Sequence, residues 1–283
     1  YQKFSKSLRP YRKILEGVQA VQSGEASRSL LIVAGQAMNI QWLQIWSVLG
    51  SWVGKKHALR VLAITSRQKP IQNLYLRLFR FKLVYLEDME IDQISLPSQF
   101  VNQVTKLKTI DDFKSYEYES IPFGKMALST FSRLRASGII DASNPESRAA
   151  VRYWLERIYK SVCAAKQLYA AENVSMLFFT EVFMEEYGAL YYAALNSNLN
   201  IIRFAGTVRD DAIVVQHLTH ESDRTHFSSI SEKSWRSILR YPDSLKMKEE
   251  LERNFEDRYG DRWALSNRNQ PNTRIMPVCE ARE

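Results

Sequence analysis

Three acidic residues, Glu181, Glu185 and Glu186, follow directly on the apolar run VSMLFF and Thr180. A carboxylate at the carboxyl end of a buried strand loses part of its hydration, which raises its pKa towards the range of a general base. Glu181 is the best placed of the three and is the candidate catalytic base. The spacing from Glu181 to Glu185 sets both on one helix face, and a second reading stays open beside the first: acidic residues at a helix start also serve its dipole. The next strand, IIRFAG, brings Arg203 and Gly206 to its end, and the polar turn TVRDD adds Arg209. These are candidates for contact with a ligand held beyond the strand ends.

Further along, His217, His220 and His226 stand near Glu221 and Asp223 in the pattern H-x-x-H-E-x-D-x-x-H. This is not the helical H-E-x-x-H of a zinc site, and no second cluster supplies ligands, so no metal is expected. His226 is read as a hydrogen-bonding partner of substrate or phosphate, with an ordinary polar loop as the competing reading. In FGKMALSTFSRLRASG, Ser129, Thr130 and Arg133 share one helix entered at Gly124, and the Arg133 fork suits a phosphate or a carboxylate as well as it suits solvent. Gly35, Gly124, Gly188 and Gly206 are positions where backbone can approach a ligand closely. The first strand ends in AGQAMN, a lone Gly35 in place of G-x-G-x-x-G, so a nicotinamide cofactor held in the usual way is not expected, and no other cofactor is called. There is no G-x-S-x-G elbow and no Walker A sequence, which argues against a serine hydrolase and a P-loop kinase. The tryptophans of QWLQIWSVLGSW read as core packing before they read as a sugar platform.

The elements that must position these residues follow from the hydrophobic pattern. Short apolar runs at SLLIVAG, RVLAITS and KLVYLED read as buried parallel strands, with helices over Ile40 to Val53 and Ile71 to Arg80 between them. That βαβαβ series predicts an α/β, Rossmann-like doubly wound, mostly parallel sheet with flanking helices. Residues 91–119 carry little periodicity and a polar cluster, DDFKSYEYES, so they read as an irregular insertion. Asn144 followed by Pro145 marks the start of a long helix that leads into the strand at Val174, and the helix MEEYGALYYAALNSNLN follows it. Ligands in such sheets sit just beyond the strands' carboxyl ends.

The chain has 283 residues, 45% of them hydrophobic and 12% aromatic, which suits a globular fold. Its densest apolar segment, Ile40 to Val53, is interrupted by Gln41, Gln44, Ser47 and Ser51, too polar for a spanning helix. Two cysteines, Cys163 and Cys279, lie outside any metal spacing and support no disulfide scaffold, so a reducing cytoplasm is expected. The net charge of +8 favours anionic partners such as nucleotides, phospholipids or nucleic acid. No nucleic-acid reading motif accompanies that charge, and no nucleic-acid partner is called. The expected organisation is an N-terminal helix within residues 1–28 packing on the sheet, a Rossmann-like domain over 29–263, and a linker or cut end over 264–283.

In the order of LLIVAG with its Trp-bearing helix, RVLAITS, LRLFRFKLVYLED, FGKMALSTFSRLRASGIID, LFFTEVFMEEYGALYYAAL and RFAGTVRDDAIVVQHLTHE leading to HFSSISEKSW, the chain resembles bacterial capsular and surface polysaccharide glycosyltransferases of the two-Rossmann-domain, GT-B type. The likeness covers residues 29 to 263. It implies an N-terminal, acceptor-side domain, a nucleotide-sugar donor held mainly by a second domain that would follow, and a glycan or lipid-linked acceptor. It also implies work in the cytoplasm near the inner membrane, with peripheral membrane contact. The alternative from another class is a noncatalytic subunit that binds an anionic glycan or a lipid-linked sugar.

Overall fold

The computed structural model describes residues 27–36, 40–135, 140–180, 185–206 and 213–220, with Glu232, Arg236, Arg240, Glu249, Glu252 and Arg253 as isolated positions. The chain divides into two compact units, Tyr1–Arg203 with His217–Ser222, and Phe204–Gln216 with Asp223–Glu283. The helices, core and cleft described below belong to the first unit.

The order of elements is β1 (Arg28–Val33), α1 (Ile40–Lys56), β2 (Leu59–Thr65), α2 (Pro70–Leu78) and β3 (Lys82–Tyr85). Four helices follow, α3 (Ser98–Val104), α4 (Ile110–Ser115), α5 (Phe123–Arg135) and α6 (Pro145–Ala171). The series closes with β4 (Val174–Phe179), α7 (Glu185–Asn196), β5 (Asn200–Gly206) and β6 (Ile213–Leu218). The fold is therefore α/β, with a six-stranded, mostly parallel sheet in the order β3-β2-β1-β4-β5-β6, flanked by helices and compatible with a Rossmann-like arrangement. Leu31 pairs with Leu62 on one side and Leu177 on the other, and Leu177 pairs with Ile201, all in parallel register.

The strands are continuous apolar runs because both faces of the sheet are covered. Leu31, Val33, Leu62 and Ile64 join one buried cluster with residues of α5, α6 and α7. Their alternating neighbours turn to the other face, where α1 packs so closely that two glycines have no room for a side chain. A Cβ at Gly50 would lie 2.4 Å from Ile32 Cδ1, and one at Gly54 would lie 2.6 Å from Val61 Cγ2. Trp46 is buried in this layer, whereas Trp52 is 51% exposed, against the expectation of core packing.

The long helix α6 starts as its sequence dictates. Pro145 takes the first position, and the Asn144 side chain accepts the Glu146 N–H at 2.8 Å. The Tyr169 hydroxyl, fully buried, donates to the Leu190 carbonyl at 2.6 Å and ties α6 to α7; burial pushes its phenol pKa upward. The segment 91–119 departs from expectation. Instead of an irregular insertion it holds α3 and α4, seven and six residues long, too short to display a helical period. Thr109 and Asp112 form a capping box that fixes the start of α4, and Phe100 and Phe113 are fully buried. The strand β6 was not legible in IVVQHL, where Gln216 and His217 dilute the apolar pattern.

At the amino ends of the strands the charges satisfy one another. Glu172, which caps the carboxyl end of α6, accepts from Arg60 Nη2 at 2.8 Å and from Lys82 Nζ at 2.6 Å. The Ser29 hydroxyl donates to the Glu172 carbonyl at 2.6 Å and accepts from Arg60, closing the network. Among the described residues no helix is long and apolar enough to cross a membrane. The helix expected over residues 8–21 and those expected beyond Leu218 lie outside the described residues.

Candidate functional site

The carboxyl ends of β1, β2 and β3 are built differently. Thr65, the last residue of β2, donates from Oγ1 to Asn73 Oδ1 at 2.9 Å, and Asn73 Nδ2 donates to the Ser66 carbonyl at 2.9 Å. This pair clamps the loop Ser66–Lys69 to the first turn of α2. Ser66 Oγ then donates to Glu87 Oε1 at 2.5 Å, and both Glu87 oxygens accept the Arg67 N–H, at 3.1 and 3.2 Å. The Ser66 hydrogen bond is the main reason that the Glu87 carboxyl is held below its ordinary pKa, helped by the Arg67 backbone. The Arg67 guanidinium pairs with Asp88 at 2.7 Å and lies over the Tyr85 ring at 4.4 Å. Asp88 raises the Arg67 pKa through that bond.

From the same loop Lys69 reaches back to β1, its Nζ donating to the Gly35 carbonyl at 2.5 Å. Tyr187 of α7 closes this corner, since a Cβ at Gly35 would lie 3.1 Å from the Tyr187 hydroxyl. These residues line one side of a cleft of about 360 Å³, and Arg157 and Ser161 of α6 line the other. Arg157 and Ser161 are one helical turn apart and so face the same way. Ser161 is 3% exposed, and its hydroxyl has no hydrogen-bond partner among the described residues. A buried hydroxyl without a partner costs about 1–3 kcal/mol, a cost that a ligand's oxygen would relieve.

A second hollow of about 380 Å³ shares the wall of Leu86, Glu87, Ile91 and Arg157 and adds Glu90, Asp92 and Gln93. Charges of both signs line the two hollows, and Glu87 and Arg157 belong to both. Lys69 and Arg157 bring positive charge to the first, with the hydroxyls of Ser66, Ser161 and Tyr187 on the same lining. The second adds carboxylates and an amide. Cations and hydroxyls suit a phosphate or carboxylate group, and exposed carboxylates accept hydrogen bonds from a ligand's own hydroxyls.

Of the residues expected from sequence, Gly35 lies against this cleft through Lys69 and Tyr187, and Gly188 is the buried neighbour of Tyr187 in α7. Gly124 makes a close approach to backbone, and the atom it meets is the Phe113 carbonyl oxygen, 1.5 Å from where a Cβ would stand. Ser129 is half-buried and Arg133 exposed on α5, and neither lines the cleft. Arg203, 5% exposed on β5, donates from Nε to the Thr180 carbonyl at 3.2 Å and holds the ends of β4 and β5 together. Gly206 ends β5. Glu181, Arg209 and His226 lie outside the described residues. Among the described residues no group of three or more His, Cys, Asp and Glu is gathered that could hold a metal.

Sequence reasoning missed Ser66, Lys69, Arg157, Ser161 and Tyr187. The rule that places ligands beyond the strands' carboxyl ends applies to SRQK after β2 as much as to the loop after β4, and it would have found the first two. Arg157 and Ser161 give no such signal, because their spacing on α6 is that of any helix face. Comparison of the chain with protein-family models, with curated proteins and with solved structures finds no match.

Proposed function

We propose that this chain is the acceptor-side part of a nucleotide-sugar-dependent glycosyltransferase of the GT-B type, acting in bacterial capsule or surface polysaccharide synthesis. Its cleft at the carboxyl edge of the sheet receives an anionic sugar. The observation that carries the reading is the mixed lining of that cleft, cations and hydroxyls together with carboxylates. Lys69 and Arg157 meet a phosphate or carboxylate, while Glu87, Glu90, Asp92 and Gln93 face the hydroxyl-rich remainder of the ligand. A purely apolar or uniformly basic cleft would not discriminate a sugar phosphate from other anions. In this reading the acceptor hydroxyl attacks the anomeric carbon of the donor sugar, a general base takes its proton, and the nucleoside diphosphate leaves. Glu181, the residue after Thr180 at the end of β4, is the proposed base.

The noncatalytic alternative, a subunit that binds an anionic glycan without chemistry, is favoured by one observation. Glu87, a carboxylate that lines both hollows, is held ionised by Ser66 and Arg67 and is a poor acceptor of a substrate proton. Sugar transfer separates the two. The chain, alone and extended through any downstream coding sequence, is incubated with a panel of nucleotide sugars and with phosphorylated or lipid-linked glycans, and product is followed by mass spectrometry. Transfer that is lost in Glu181→Gln supports the glycosyltransferase. Glycan binding without transfer from any donor supports the binding subunit.

A further inference from the structure

The face of the sheet covered by α1 and α2 carries an outer surface that the cleft does not use. On α2, Ile71, Leu74 and Leu78 are 66%, 42% and 47% exposed. Their spacing of three and four residues sets them in one stripe along the helix. A soluble helix ordinarily turns such a stripe inward, and α2 does bury one, formed by Asn73, Tyr75 and Leu76. The outer stripe is therefore a second apolar face. It is bordered by cations. Arg77 lies within it, and Arg80 follows directly in an exposed left-handed turn, at φ 60°.

Helix α1 extends the surface. Both helices leave a strand at its carboxyl end and return to the next parallel strand at its amino end, so their last turns lie at the same edge of the sheet. The last turn of α1 brings Trp52, 51% exposed, with Lys55 and Lys56. The Lys56 ammonium sits over the Trp52 ring at 4.8 Å, a tryptophan and a lysine pointing outward together. Between Ala26 and Leu86 the sequence contains no Asp or Glu at all, although acids make up 31 of the 283 residues. No carboxylate of either helix opposes the cations of this face.

We propose that the outer face of α1 and α2 is a docking surface for an anionic lipid bilayer. Exposed aliphatic side chains, an outward tryptophan and flanking Lys and Arg without acids are the chemistry of a helix lying in a membrane interface. Aliphatic groups enter the acyl boundary, Trp52 takes the headgroup level, and the cations meet anionic headgroups. A second copy of the chain fits the face poorly, because its like charges would be brought together. The inference is independent of what the cleft binds.

Co-sedimentation of the full chain with vesicles tests it. The probes are vesicles of phosphatidylcholine alone and of phosphatidylcholine with a third of phosphatidylglycerol, at low and at high salt. The expected result is binding to the anionic vesicles that exceeds binding to neutral ones at least fivefold and weakens with salt. An apolar variant, Ile71→Gln with Leu78→Gln, and a charge variant, Lys56→Gln with Arg80→Asn, each lower the bound fraction at least threefold while the thermal melt is unchanged. These positions are exposed, so neither variant disturbs the core. Equal binding to neutral and anionic vesicles, or anionic binding unchanged in both variants, overturns the proposal. So does a self-associated chain that becomes monomeric in the apolar variant, which would assign the face to a second copy.

Discussion

The two edges of the sheet use the same kinds of residue to opposite ends. At the amino edge Glu172 takes both Arg60 and Lys82, and Ser29 fills the remaining hydrogen-bonding capacity, so the charges are spent on one another. At the carboxyl edge charged and hydroxyl side chains line a cavity. Among the described residues Lys69 donates to one carbonyl, that of Gly35, and an ammonium has three donors. Glu87 accepts from the Ser66 hydroxyl and the Arg67 backbone. Ser161 is buried beside the cleft with its hydroxyl unmatched among the described residues. The contrast assigns stability to the amino edge and, on our proposal, binding to the carboxyl edge. A network that closes on itself holds a fold together, whereas one that leaves capacity over a cavity is arranged for a ligand.

Three substitutions test that contrast. Glu172→Ala should have the largest effect, because it leaves Arg60 and Lys82 facing each other at a partly buried site. A loss of about 1–3 kcal/mol in a urea melt is expected, with ligand binding at the opposite edge unchanged. Ser161→Ala should do the reverse, leaving stability equal or higher by up to about 1 kcal/mol while weakening the binding of a phosphorylated sugar. A clear loss of stability there would give the hydroxyl a structural duty and blur the contrast. The smallest effect belongs to Glu87→Gln. The folded carboxyl is held below its ordinary pKa, so its contribution is present above roughly pH 4.3 and is lost as pH falls through the folded value. The stability gap between the natural chain and Glu87→Gln should therefore be visible at neutral pH and close on acidification. A gap that widened in acid would contradict the assigned hydrogen bonds.

Much of the scaffold was legible because burial on both faces writes itself as continuous apolar runs. RSLLIV, LRVLAIT and VSMLFF are such runs, and Asn144-Pro145 announced α6 through capping chemistry. The short helices α3 and α4 were not legible, since six or seven residues span fewer than two turns and their stability comes from burying Phe100 and Phe113. The site was legible only in its principle. The candidate cleft lies at strand ends, where the general rule looks, and Gly35 meets its Lys69 and Tyr187. The groups that complete it, Arg157 and Ser161, come from a helix more than 80 residues further along, and only the packing of α6 across the sheet brings them to Lys69. The outward Trp52 was equally hidden, because a tryptophan at helical spacing reads the same whether it faces the core or the solvent.

The most direct test of the account is calorimetric titration of the chain with glucose 1-phosphate, methyl glucoside and inorganic phosphate, repeated with Lys69→Met, Arg157→Met and the double variant. The account predicts that the sugar phosphate binds more tightly than either fragment and that each single variant weakens it about tenfold, roughly 1.4 kcal/mol, with unchanged thermal melts. Equal affinity of the natural chain and the double variant for the sugar phosphate would contradict it and remove the cleft at the carboxyl edge as the binding site.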